Sequence, residues 1–196
     1  MHYGSFSFGE IKPSRLVFGT IPLHEDNLEG GFELLDAAWE MGYTAFDTAA
    51  LYGGGSSERV LGKWMEARGN RNAIFVIGKG AHHNADRRRV TPHDITTDLF
   101  DSLARQRHDY IDLHFLHRDD PECDVGPIVE ILNEHHASGR VHAFGGSNWS
   151  TRRIADANEY AHKNGLIPFT ASSPNLSLAV QAQPPWEGCL SLAGPA

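Results

Sequence analysis

The sequence predicts an α/β barrel that contains about six of the eight β/α units of a TIM barrel. Three observations lead there. From residue 15 to about 178, short apolar segments alternate with helical periodicities, and such alternation implies a parallel sheet. The first strand runs into Gly19-Thr20-Ile21-Pro22, not into the Gly-x-Gly-x-x-Gly turn of an open doubly wound sheet. Polar residues, Asp47, Lys79, His117 and Ser147-Asn148, stand where successive strands end, the face on which a barrel keeps its chemistry. A closed barrel takes eight strands and typically about 250 residues. The 196 residues here are therefore expected to form one incomplete domain: a hairpin over 1–14, barrel units over 15–178 and an irregular tail over 179–196.

Each element has its own signal. Tyr3, Phe6 and Phe8, then Gly9-Glu10 and Pro13, read as a hairpin leading into a first strand at 15–20. A helix over about 30–41 places Phe32, Leu35 and Trp39 on one face and stops at Gly42. Tyr43–Phe46 is aromatic and β-branched, a short buried strand ending at Asp47, with Tyr52 on the loop beyond. Helix two follows the Gly53-Gly54-Gly55 hinge and runs from Ser57 to Arg68, with Leu61, Trp64 and Met65 inward. Strand three, Ala73–Lys79, is almost continuously apolar, as befits a strand covered on both faces. Thr91-Pro92 with Asp94 is an N-cap, a first-turn proline and a capping-box acid for helix three. Strand four is Tyr110–Leu116, helix four spans about 127–137, strand five is Val141–Phe144, helix five lies between Ser150 and Gly165, and strand six is Phe169–Ser172.

Composition narrows the function. The chain is 40% hydrophobic, 21% charged and carries a formal charge of −8, which argues against nucleic acid or an anionic membrane as partner. Arg87-Arg88-Arg89 is the one basic run and reads as a solvated loop. Cys123 and Cys189 are far apart and lack metal spacing, and Met1-His2-Tyr3-Gly4 has neither a basic nor an apolar leader segment. A cytoplasmic protein with reduced thiols is the expectation.

Lys79 closes a strand of mostly branched apolar residues in a chain with only four lysines. Burying an ammonium is costly unless it is paired, and Asp47, at the matching end of the preceding strand, is the partner the pattern supplies. A phenol beside that ammonium is a candidate proton donor: a cation at 4 Å, at an effective dielectric of 20, favours the phenolate by about 4 kcal/mol. His114 and His117 form His-x-x-His, but residues three apart on a strand point to opposite faces, so a shared metal is not expected. His82-His83 and His135-His136 are adjacent pairs with the same difficulty.

Taken together these residues closely resemble the aldo-keto reductase family. The resemblance rests on Phe46-Asp47-Thr48-Ala49 with Tyr52-Gly53, Ser57-Glu58, Leu61-Gly62, Lys79, Asp109-Tyr110-Ile111-Asp112-Leu113 leading to His117, and Gly146-Ser147-Asn148. It implies a (β/α)8 barrel that reduces an aldehyde or ketone with a nicotinamide cofactor, NADPH by family habit, with NADH as the alternative. It implies Tyr52 as general acid, Lys79 and Asp47 tuning it, and His117 orienting the carbonyl or sharing the proton transfer. Gly19, Thr20 and Asp47 match cofactor contacts, and Ser147 and Asn148 match the carboxamide contacts. Ser173 stands near the position of a family glutamine. The seventh and eighth units, which carry the ring-stacking aromatic and the phosphate loop in the family, are expected to be missing. Two bare sheet edges would then invite self-association. Rival readings are a regulatory subunit like the potassium-channel β subunits, a metal-dependent barrel hydrolase, and an inactive truncated product.

Overall fold

Alternation along a strand sends neighbouring residues to opposite faces, and here it separates two apolar cores. The computed structural model describes residues 1–5, 11–179, 181–183 and 186. In it six parallel strands pair in chain order: β1 (Phe18–Gly19), β2 (Ala45–Asp47), β3 (Phe75–Gly80), β4 (Ile111–Leu116), β5 (Val141–Ser147) and β6 (Ala171–Ser173). The helices between them are α1 (Leu28–Glu40), α2 (Ser56–Arg68), α3 (Pro92–Gln106), α4 (Val125–Ala137) and α5 (Thr151–Lys163). The sheet is a half-barrel, six units of a (β/α)8 barrel. Ala45, Phe75, Leu113, Phe115 and Ala143 fill its inside, with Ile11, Ile77 and Ala171 packed against them. Phe46, Trp64, Ile74, Val76, Leu99, Leu116 and Phe144 belong to the layer between sheet and helices.

The register positions the site. Asp47 lies opposite Ile77, and Lys79 is the next inward position along β3. Lys79 in turn lies opposite Phe115, and His117 is the next inward position after it. This stagger is what tilts strands in a barrel, and it carries the inward polar side chains up to one mouth. Gly145 is required where β5 passes β6: a Cβ there would sit 2.2 Å from the Ala171 carbonyl oxygen and 2.9 Å from the Phe115 ring.

Several boundaries differ from expectation, for local reasons. The first strand shrinks to Phe18–Gly19, and Arg15–Val17 lie outside it. Helix α1 starts at Leu28 because the Asn27 side chain accepts the Gly30 N–H, a cap hidden by the Gly30-Gly31 pair. Strand β2 begins at Ala45 and includes Asp47, while β3 is delayed to Phe75 by a 3₁₀ turn at Arg71–Ala73. Strand β5 extends to Ser147, three residues further than the apolar run alone suggests. The N-cap and first-turn proline of α3 are as read, Thr91 accepting the Asp94 N–H and Pro92 opening the helix, but the Asp94 carboxylate takes the Thr91 hydroxyl and Arg87 and does not close a capping box. The limbs of the N-terminal hairpin meet in an antiparallel bridge between Tyr3 and Ser14. The expected turn over 6–10, and most of the expected tail (180, 184–185 and 187–196, including Cys189), lie outside the described residues. Among the described residues no helix is long and apolar enough to cross a membrane.

Candidate active site

A cleft of about 590 Å³ opens at the C-terminal ends of the strands, and Asp47, Tyr52, Lys79, His117, Ser147, Asn148 and Ser173 all line it. Lys79 is its electrostatic centre. Only 5% exposed, its ammonium donates to the Asp47 carboxylate, to the Thr48 carbonyl at 3.1 Å and to the Tyr52 hydroxyl oxygen at 3.1 Å. An ammonium has three N–H donors, so all three are committed. Because Tyr52 accepts from Lys79, its own O–H is left to point elsewhere.

Local chain geometry delivers both groups. Tyr52 opens a 3₁₀ turn in which Gly53, Gly54 and Gly55 have φ of 56°, 62° and 88°, a left-handed run that glycine alone tolerates cheaply. The run leads into α2, whose N-cap is Gly55. Beyond Lys79 the chain turns at Ala81, whose φ of 57° is held by an N–H donated to Asp98 at 2.8 Å. Asp98 is also bound by Arg89 at 2.6 Å, Arg87 pairs with Asp94 at 2.7 Å, and Arg88 with Asp120 at 2.8 Å. The basic run is a loop with Arg87 and Arg88 exposed, as read, and its ion pairs also tie the loop after β3 to α3 and to the loop after β4.

His117 and His114 diverge, as a strand requires. His114 is fully buried on the helix side, with neither ring nitrogen partnered among the described residues, and burial pushes its pKa down to about 4. His117 turns into the cleft. Burial, then the neighbouring Lys79 cation, pushes it down to about 2, so the imidazole is neutral at any physiological pH. Its Nδ1 is buried without a partner among the described residues, and its ring meets Tyr52 edge-on at 5.9 Å.

A second cluster forms where β5 meets β6. Ser147 Oγ and the Asn148 N–H both donate to the Ser173 carbonyl at 3.2 Å, and Asn148 Nδ2 donates to Ser147 Oγ at 3.2 Å. Asn148 adopts φ 59°, a conformation asparagine tolerates better than most residues. Its Oδ1 is left buried and unpartnered. Gly19 and Thr20 are not among the residues that line the cleft. Gly19 pairs with Asp47 across β1–β2, and Thr20 donates its N–H to the Asp47 carbonyl at 2.9 Å.

Other motif residues prove to be packing. Ser57 donates to the Leu23 carbonyl at 3.2 Å, and Glu58, wholly buried, accepts from Arg105 and Gln106 of α3. Asp112 pairs with Arg71 at the opposite end of the sheet. Sequence reasoning missed His82, Arg118 and Trp186, which also line the cleft. Loop residues past a strand end carry no periodicity that would orient them, and no signal in the sequence marks these three. Among the described residues no group of three or more His, Cys, Asp or Glu is placed to hold a metal ion.

Comparison with known proteins agrees with this fold. The family model described as "Aldo/keto reductase family" matches residues 15–191. Aryl-alcohol dehydrogenase [NADP(+)] of Phanerodontia chrysosporium is 32% identical over 72% of this chain and 40% of its own length. Aldo-keto reductase YhdN of Bacillus subtilis is 31% identical over 79% of this chain and 49% of its own. The crystal structure of the thermostable aldo-keto reductase Tm1743 superposes with a TM-score of 0.75 at 26% identity, covering 88% of this chain and 61% of that one. The chain thus spans less than half the length of these curated relatives.

Proposed function

The chain belongs to the aldo/keto reductase family, and from that premise we propose that it carries the proton-transfer machinery of a carbonyl oxidoreductase acting on a small aldehyde or ketone. The observation that supports this most is the Lys79 ammonium, held by Asp47 and Thr48 and aimed at the Tyr52 oxygen. Tyr52 donates its proton to the substrate's carbonyl oxygen as the carbonyl carbon is reduced. The phenolate left behind is stabilised by the ammonium 3.1 Å away, and water entering the cleft restores the proton. Asp47 keeps the ammonium charged and fixes its direction.

His117 orients the carbonyl. An orphaned buried N–H is rarer than an orphaned acceptor, which favours a bare Nδ1 and a proton on Nε2. Nε2–H then donates to the same carbonyl oxygen.

The residues present fit the carboxamide end of a nicotinamide. Asn148 Oδ1 is an acceptor lacking a partner, and Ser147 Oγ lies beside it, which together suit an amide group. When bound, the nicotinamide supplies the two electrons and the hydrogen that reduce the carbonyl carbon. Ser173, shorter than glutamine, contributes its backbone carbonyl to this cluster. By the resemblance, Gly19 and Thr20 add contacts to the cofactor from β1, and NADPH is the preferred form, as in the name of the fungal relative. The reading carries with it a cytoplasmic setting and pairing of the β1 or β6 edge with a second copy.

The test is NADPH-dependent reduction of benzaldehyde, with NADPH binding followed by its fluorescence. Tyr52→Phe is expected to lose about 10²–10⁴-fold in turnover while NADPH affinity stays unchanged. Equal turnover in the two proteins would overturn the acid role.

A further inference from the structure

The buried edge of the His117 ring, at Nδ1, has no hydrogen bond among the described residues to set its orientation. Packing does that work. One ring against it is Tyr52; the other, closer, is His82, whose centroid lies 4.9 Å away at an interplanar angle of 77°. Edge-to-face contact of this kind favours one ring orientation over others.

His82 is itself pinned. Its Nδ1 lies 2.8 Å from the His83 carbonyl oxygen, and a carbonyl can only accept, so the proton sits on Nδ1 and Nε2 is bare. His83 Nε2 donates to the Asp119 carbonyl at 3.1 Å, and the Asp119 carboxylate binds Arg153 of α5 at 3.2 Å. The loop after β3 is thereby tied to the loop after β4, the loop that follows His117.

We propose that His82 is a positioning residue for the reaction: its ring clamps the His117 imidazole so that Nε2 faces the substrate oxygen. The inference rests on the role given to His117 above. Its content is that the ring of His82, not its basicity, matters. A misplacement of about 1 Å in an orienting group costs on the order of 100-fold in rate, so a loosened imidazole has a measurable cost.

The experiment compares wild type, His82→Ala, His82→Phe and Tyr52→Phe. Turnover of benzaldehyde with NADPH is one readout, and the His117 Cε1–H resonance is the second. His82→Ala is expected to lower kcat about 10–100-fold with KM nearly unchanged, to shift the His117 resonance, and to leave the melting temperature within about 3 °C. His82→Phe, which keeps a ring in place, is expected to restore both kcat and the resonance. The proposal is overturned if His82→Ala turns over like wild type, if His82→Phe is as impaired as His82→Ala, or if the His117 resonance does not move. The resonance judges the clamp even where turnover is low. Full activity of Tyr52→Phe would instead sink the acid assignment, so the two failures are told apart.

Discussion

Two buried ion pairs, one at each end of the sheet, show how similar chemistry serves different ends. At the lower end Arg71 and Asp112 are 7% and 5% exposed and lie 2.8 Å apart. Arg71 also donates to the carbonyls of Ile74 and Tyr110 and lies 3.9 Å from the Tyr110 ring centroid. Asp112 takes the Val76 N–H at 2.9 Å. Both terminal nitrogens of Arg71 have partners, and the pair ties the 3₁₀ turn before β3 to β3 and β4. At the upper end Lys79 is equally buried, but Asp47 is 26% exposed, and the ammonium reaches a hydroxyl whose proton is free. Around it, Asn148 Oδ1 and His117 Nδ1 stay unpartnered among the described residues. A closed pair stabilises; an open one, surrounded by unmet hydrogen-bonding capacity, is poised to act on something that enters.

Removing the lower pair should break the fold without touching the chemistry. Asp112→Ala leaves the Arg71 charge buried and uncompensated, a loss of about 3–5 kcal/mol, read as a lower denaturant midpoint with unchanged turnover per folded molecule. Loss of turnover at intact stability would reverse the division of labour.

Acid titration probes a third kind of buried group, one neither paired nor in the cleft. His114, held to about 4, resists protonation in the folded chain, whereas the unfolded chain protonates near 6.5. Between those values the unfolded state binds more protons, so stability is full above pH 6.5 and declines as the pH falls to 4. The expected loss is about 3 kcal/mol. His117, held to about 2, adds to the slope in the same window and below it. His114→Leu should flatten the slope measured by urea unfolding; an unchanged slope would mean that this imidazole is not the titrating group.

The smallest effect sharpens the same distinction on α3, which carries the Asp98 that fixes Ala81 beyond Lys79. Thr91→Ala removes the N-cap and should cost about 1 kcal/mol, with turnover unchanged, because Asp98 keeps its pairing with Arg89.

How much of this was legible in the sequence follows from what each residue answers to. The alternation of Phe75, Ile77 and Lys79 reports a strand facing inward, so the convergence of Asp47, Lys79 and His117 could be read from pattern and order. Ser147 and Asn148 could be placed at a strand end from the order of the elements, but their part as amide contacts, and Ser173 altogether, were legible only through the family resemblance, since nothing in their spacing says that β5 runs on to Ser147. His82 was not legible. Its place against His117 depends on Ala81 adopting positive φ and on Asp98 holding it there, interactions that join distant parts of the chain. The same holds for the arginine run, whose partners Asp94, Asp98 and Asp120 come from a helix and from the loop after β4.

The central claim is that Lys79 and Tyr52 act as one unit, and a double-mutant cycle on kcat tests it most directly. Tyr52→Phe, Lys79→Met and the double variant are compared with wild type in the same aldehyde-reduction assay. If the ammonium works through the phenol, the double variant should be no slower than the worse single variant. Losses that multiply across the two positions would show that the groups act independently and would contradict the account.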